Sequence, residues 1–489
     1  MFTLPALDGD CTALILDLLD KGTLLTAACT CREACGTVRP RLVHNVSITQ
    51  LGKLMHFCHF VLVHNLAPSI YTMTIRVPQS PRLSQHLGSF CDVLELASNL
   101  HTFVVQGSTQ ALTGVTGSPR IATLVGRNTI PLINLEMAGV DPSGLHILRS
   151  IRGLSSLAFS FASSWNPRSD HLSQIIENSS GTLTELCLQA VPSPAQEGAR
   201  WVLKADADTT FSPCMKLRKL TVNNMDVDIS YLADRFPRLE HLTFGPNCLS
   251  DTTDVLGRPL WPNLKILECN FDLVLALGNS DLSSLRRLVL RALPQSYLER
   301  FMVVLVRLPV KRLYLRTLLH CNGPRDISVQ RFFASLLSST PALQVLKVEV
   351  YGDEIMDTAL NNFVSSSAFI CSVDVRTWTD NRVWKVFTCP LKTIRRPKDL
   401  KYLSITSVIN ASSYHISFML HHDLGVAVRW FQAIPSLQGF SYGVAGDKPA
   451  NYIRACPPNA DGVTNPDDIK YSPHPSEADP GLYVDYMND

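Results

Sequence analysis

Leu183-Thr184-Glu185-Leu186-Cys187-Leu188 is an apolar-x-x-apolar-x-apolar phrase. A short extended strand makes sense of it, because side chains at its fourth and sixth positions share one face and those at its third, fifth and seventh share the other. A first-position leucine then packs beneath the strand. Clear copies of the phrase begin at Leu217, Leu239, Leu264, Leu285 and Leu343. Weaker ones begin at Val43, Ile70, Leu100, Leu132, Leu154, Val310, Ile370, Leu400 and Leu437.

The copies recur about every 28 residues, with intervals from about 21 to about 37, which is the upper part of the leucine-rich-repeat range with insertions. Pro-x-Leu introduces the phrase at Pro237, Pro262, Pro341 and Pro435. Proline ends a preceding helix and lets an extended segment begin. Between copies, stretches such as Leu54 to Leu62 and Val329 to Leu337 space their apolar residues by three and four, the helical period. Each unit therefore reads as strand, loop, helix, turn. A doubly wound α/β domain would also alternate strands and helices. Its buried strands would be nearly continuous Val and Ile runs, whereas these alternate apolar residues with Glu, Lys, Arg and Thr. The sequence thus predicts an α/β leucine-rich-repeat solenoid, a curved parallel sheet with outer helices. The ninth-position Asn of such repeats stands, with a following leucine, only at Asn247, so irregular turns are expected.

With 46% hydrophobic and 18% charged residues, the 489-residue chain can bury a large apolar area. Its formal charge of +2 names no bulk partner, and neither nucleic acid nor a membrane is expected. The 14 cysteines include many set singly in apolar segments, such as Cys58, Cys269 and Cys371, the pattern of buried free thiols. Asp8, Asp10, Asp17 and Asp20 crowd the first twenty residues, which is unlike a secretory signal. The most apolar window, Leu54 to Val63, is broken by His56 and His59 and is too short to span a bilayer. A reducing compartment, cytoplasmic or nuclear, is expected.

Ahead of the repeats, Leu7 to Arg32 forms an apolar block with the spacing of two or three short helices. Leu14, Leu18 and Leu19 fit one helical face and Leu24, Leu25, Ala28 and Cys29 a second, with Thr23 as the expected N-cap of the second. So small a block must lean on something. It resembles the F-box family, above all the fungal members with leucine-rich repeats behind the motif. Leu7, Ile15, Leu16 and Leu19, then Leu24-Leu25, then Thr30-Cys31-Arg32 stand at that family's signature positions. Asp8 replaces the usual proline, and no tryptophan soon follows Cys31-Arg32.

The resemblance implies docking on a small Skp-type adaptor of a cullin ubiquitin ligase through Leu7, Ile15, Leu16, Leu19, Leu24, Leu25 and Cys31, with a protein substrate held on the repeats. It implies domains at 1–42 for the helical block and 43–450 for the repeats. The other possibility is a non-catalytic leucine-rich-repeat scaffold or regulatory protein, whose block only caps the first repeat.

Third, fifth and seventh strand positions form the face on which such arrays bind. There Arg287, Arg291, Arg312, Arg316 and Tyr314 fall on neighbouring strands, with Lys347 on the next. Arginine forks suit carboxylates and phosphates, so an acidic or phosphorylated partner segment fits. The bland reading of the same arginines is pairing with Glu268 and Glu349. Gly-x-x-x-x-Gly-Lys, Gly-x-Ser-x-Gly and His-Glu-x-x-His are missing from the sequence, so no enzyme activity and no cofactor is expected. Cys29, Cys31 and Cys35 lack a matching pair at zinc-finger spacing, and no metal is expected there. His320-Cys321 and His421-His422 read as ordinary residues, and Trp378 to Trp384 as an insertion without assigned role. From 451 to 489 an acidic, proline-containing tail is expected to be disordered.

Overall fold

The computed structural model describes residues 9–77, 87–107, 120, 124, 132–140, 145–146, 148–161, 170–190, 201–203, 212–245, 248, 250–251, 260–277, 282–294, 297–318, 335–340, 342–351, 400–408, 427–428, 431, 436–444, 450–454 and 468–472. Leu7, Asn247, the copy at Ile370, Cys371, His320-Cys321, His421-His422 and Trp378 to Trp384 lie outside them. The chain is α/β and divides into two compact units, Met1–Leu239 with Asn247–Asp251, and Glu240–Pro246 with Thr252–Asp489.

The first unit opens with three helices, α1 (Gly9–Leu18), α2 (Lys21–Ala28) and α3 (Arg32–Leu42). Strands β1 (Asn45–Ile48), β2 (Thr72–Val77), β3 (Thr102–Gly107), β4 (Asn134–Val140), β5 (Ser156–Phe161) and β6 (Glu185–Ala190) follow, each starting at the third position of a phrase. With β8 (Lys219–Asn223) they form parallel neighbours in the order β1-β2-β3-β4-β5-β6-β8. A second, three-stranded parallel sheet joins β7 (Trp201–Leu203), β9 (Met225–Asp228) and β11 (Ser250–Asp251). Parallel strands need crossover segments, and the helices lie in them. They include α4 (Leu51–Val63), α5 (Leu87–Leu96), α6 (Asp170–Asn178) and α7 (Ile229–Arg235).

The second unit has β10 (His241–Phe244), β12 (Ile266–Cys269), β13 (Arg287–Pro294), β14 (Arg312–Leu318), β15 (Val345–Tyr351), β16 (Tyr402–Val408) and β17 (Gly439–Val444), all parallel. Helices α8 (Phe271–Leu277) and α9 (Leu298–Leu305) flank them.

Registers match copy to copy: Leu288 faces Leu313, which faces Leu346, which faces Leu403. First, fourth and sixth phrase positions are buried wherever their side chains are described, as at Leu183, Leu186 and Leu188. Strand alternation thus stacks one leucine row on the next, and each buried leucine adds roughly 1.5–3 kcal/mol of transfer free energy.

One recurrent feature lies outside the alternation. Within each unit the second residue of one phrase offers its carbonyl to two N–H groups of the next described strand. His44 O accepts from Tyr71 N at 2.9 Å and Thr72 N at 3.0 Å, and the pattern continues through Tyr71, His101, Ile133, Ser155 and Thr184. In the second unit it runs through Glu240, Lys265, Arg286, Lys311, Gln344 and Lys401. These second-position side chains therefore sit at strand spacing along one margin of each unit's sheet. Asparagines brace the turns, though not at the expected place: Asn99, Asn178 and Asn224 donate to the carbonyls of Pro68, Arg149 and Ala190.

The boundary expected at 451 is corrected. Strands β18 (Ala450–Arg454) and β19 (Ile469–Ser472) add antiparallel to β17. Tyr452 and Ile469 are buried, and Tyr452 stacks on Phe440. The guanidinium of Arg454 donates to Phe431 O at 2.6 Å and lies over its ring. Acidic composition around these segments obscured two short apolar-alternating strands within them. Asp20, not Thr23, caps α2: its carboxylate accepts from the N–H and hydroxyl of Thr23. Those two bonds hold the Asp20 carboxyl below its usual range.

Candidate interaction surfaces

The helical block is held to the first strand by one side and open on another. Lys21 Nζ donates to Asn45 O of β1 at 2.6 Å, which satisfies a carbonyl of that strand, and Arg41 pairs with Asp17 at 2.9 Å to tie α3 to α1. Val38 and Val43 are buried where α3 runs into β1. In the same block Leu14, Ile15, Leu18 and Leu25 are 65, 46, 87 and 56% exposed.

Of the residues the family resemblance assigns to docking, Ile15 and Leu25 are therefore at the surface, and Leu16 and Leu19 are half-buried. Leu24 is buried, and so belongs to the core of the block and not to its outer face. Cys31 is the N-cap of α3, its Sγ accepting from Ala34 N at 3.3 Å. Helical spacing put Cys29 on the apolar face of the second helix. Instead Cys29 and Cys31 are exposed, because they occupy the junction between α2 and α3. Leu14 and Leu18, which helical spacing had paired with Leu19, are the most exposed of the set.

In the second unit, parallel register sets Arg287 opposite Arg312, Tyr314 opposite Lys347, and Arg316 opposite Glu349. The Lys347 ammonium lies 4.7 Å from the Tyr314 ring centroid, and Arg316 Nε donates to the Tyr314 hydroxyl at 3.4 Å. A bulge in β13 between Leu290 and Leu293 breaks the row at Arg291. Arg291 turns to Glu268, NH2 to Oε1 at 2.7 Å and Nε to Oε1 at 2.8 Å. Pairing with Glu268, the bland reading, therefore holds for Arg291. The four arginines are half-buried, as neighbouring rungs cover one another. Val289 and Val345, expected on the open face, are buried for the same reason.

The second-position row carries a surface that the phrase alone did not reveal. His44, Tyr71 and His101 stack in succession, with ring centroids 5.1 and 4.2 Å apart. They line a cleft of about 520 Å³ together with Pro40, Arg41 and Asn99. His101 Nδ1 lies 2.7 Å from Asn99 O; a carbonyl only accepts, so Nδ1 carries the proton and Nε2 is left as an acceptor. Aligning the phrases by their second residue would have displayed this ring stack. In the second unit the same row reads Glu240, Lys265, Arg286 and Lys311, with Lys265 ion-paired to Glu240.

The repeat cysteines are chemically quiet. Burial, with Asp92 nearby, pushes the Cys58 thiol up to about 12. Burial also raises Cys269, Cys187 and Cys214. Among the described residues no group of three or more His, Cys, Asp or Glu could hold a metal ion, and no helix is long and apolar enough to cross a membrane.

Compared with known proteins, the chain matches no family model and no curated sequence.

Proposed function

We propose that this chain is a non-catalytic, substrate-recruiting subunit of an SCF-type (Skp, cullin, F-box) ubiquitin ligase. Its α1–α2 face docks a Skp-type adaptor, and its repeats, read as a leucine-rich-repeat solenoid, hold a protein substrate in the cytoplasm or nucleus. The observation that carries this reading is the apolar face of Leu14, Ile15, Leu18 and Leu25. A block that merely covered β1 would turn its leucines inward, yet these four are exposed. Burying four such side chains against a partner is worth on the order of 6 kcal/mol before association costs. The arginine and tyrosine row on β13 and β14 supplies donors for an acidic or phosphorylated substrate segment.

A second reading, a scaffold whose helical block is only a cap, draws on the Lys21 and α3 links to β1. Co-purification separates the two. The intact protein is expected to capture a Skp-type adaptor, and a Leu14→Ser/Leu18→Ser variant is expected to lose it while keeping its unfolding midpoint. Failure of the intact protein to capture the adaptor, in an extract where a control F-box protein does so, removes the ligase reading. Replacing Arg287, Arg312 and Arg316 with Ala should then weaken substrate capture without touching adaptor binding.

A further inference from the structure

His146 and His171, in successive repeats of the first unit, face each other with Nδ1 of the first 3.3 Å from Nε2 of the second. Two neutral imidazoles at this separation either share a proton or share an ion. The contact lies just beyond the usual range of about 2.7–3.2 Å for an N–H···O bond and is still within hydrogen-bond distance. It equals the edge of a tetrahedral zinc site, where two nitrogens at roughly 2.0–2.1 Å from the metal lie about 3.3–3.4 Å apart.

The rings supply a second measure. A straight N–H···N bond of this length would hold the ring centroids about 5.6 Å apart, because each centroid lies behind its nitrogen on the same line. Convergence of both lone pairs on one tetrahedral ion would bring them to about 5.2 Å. The centroids are 4.9 Å apart with the ring planes at 71°, so the rings tilt away from the line between the two nitrogens. His171 Nδ1 is enclosed and has no hydrogen-bond partner among the described residues, which leaves Nε2 as the atom through which this side chain acts. His146 is exposed, so an ion has a way in.

We propose that His146 and His171 form a two-histidine site for a borderline divalent transition ion, zinc above all, the class for which imidazole is the suited ligand. No third His, Cys, Asp or Glu joins them among the described residues. The ion therefore keeps two positions for water or for a donor brought by a partner, and the site is an open one. Its affinity follows from that: two protein ligands give binding on the order of micromolar, not the far tighter hold of a closed structural site. This proposal does not depend on the ligase reading.

The test is calorimetric titration of the full chain with Zn2+ alone, after chelator treatment. His56 and His59, also exposed, serve as the control pair on α4. One ion should bind per chain with micromolar affinity, weakened at least about tenfold in His146→Gln and unchanged in His56→Gln/His59→Gln. Co2+ in place of Zn2+ should give a visible tetrahedral absorption that His146→Gln abolishes. His146 is at the surface, so this variant keeps the fold, and its metal-free unfolding midpoint checks that. Binding no tighter than about millimolar, or an affinity in His146→Gln within twofold of the native chain, overturns the proposal.

Discussion

Leu18 in α1 and Leu288 in β13 are the same side chain in opposite circumstances. One is 87% exposed and the other 0%. A strand of period two has its faces fixed by its neighbours on both sides, so a repeat leucine finds apolar side chains above and below it. A pair of short helices at the end of an array has a neighbour on one side only, and its second apolar face stays outward until something else covers it. The comparison teaches that buried leucines report the fold, whereas exposed ones mark the surface on which the proposed partner is to be tested.

Thiol chemistry gives this contrast its largest expected effect. Cys11, Cys29 and Cys31 are exposed in the helical block, whereas Cys58, Cys91, Cys214, Cys248 and Cys269 are buried. Only the thiolate reacts, and a thiol pushed up to about 12, as Cys58 is, holds less of it near neutral pH than an ordinary cysteine by a factor on the order of a thousand. Maleimide labelling followed by peptide mass mapping should modify the first group in the native state and the second only after unfolding. The sign of the pH effect follows. A raised thiol pKa favours the neutral folded form, so its stabilisation is full below the ordinary thiol range near pH 8.5 and is lost as pH climbs toward 12. Rapid native-state labelling of Cys58 would break the comparison.

Next in size is the core itself. Leu288→Ala should cost about 3–5 kcal/mol in chemical denaturation through lost transfer energy and an unfilled cavity. Leu18→Ala, at the surface, should stay within about 0.5 kcal/mol. Equal losses in the two variants would mean that the α1 face is already covered within the chain.

Fourteen of the strands were legible because the phrase carries its own burial pattern, and register follows once position four must meet position four. Proline before the leucine marked where the strands begin. The second-position row was not legible in the same way: its common feature is a backbone carbonyl, which any residue supplies, so His44, Tyr71 and His101 show no pattern until the copies are aligned. The arginine row was legible only in part. Alternation placed Arg287 beside Arg312, but the bulge that turns Arg291 toward Glu268 depends on how β13 and β14 differ in length between paired residues. Strands β18 and β19 were hidden because each is short and sits among acidic and proline residues. Helical spacing put Leu24 and Leu25 on one apolar face of α2 and could not say that Leu24 turns inward while Leu25 stays exposed.

A smaller effect tests the ion pair of a buried arginine with a half-exposed carboxylate. Arg235 in α7 is buried, donates to Ser212 O at 2.6 Å and pairs with Glu177 at 2.8 Å. Its own carbonyl accepts from Cys214 N, so α7 pins the segment that leads into β8. Arg235→Met keeps the volume and removes the charge. Glu177 is 39% exposed and can turn to water, so the loss should be on the order of 2 kcal/mol, short of the figure for a fully buried pair. A change below about 0.5 kcal/mol would show that this segment is held by its apolar residues alone.

The smallest effect belongs to the exposed margin of the second unit. Lys265 pairs with Glu240 across adjacent second positions, with side chains 55 and 29% exposed. Surface pairs of this kind contribute about 0.2–1 kcal/mol and are screened by salt. Lys265→Met should therefore lower stability by no more than about 0.5 kcal/mol in dilute buffer and by nothing measurable in about 1 M salt. Substrate capture through Arg287 and Arg312 should be unchanged by it, since those side chains project from the third position. If Lys265→Met instead weakened capture as strongly as the arginine substitutions, the binding surface would extend over the second-position margin, and the division between a binding face and a structural edge would fail in the second unit.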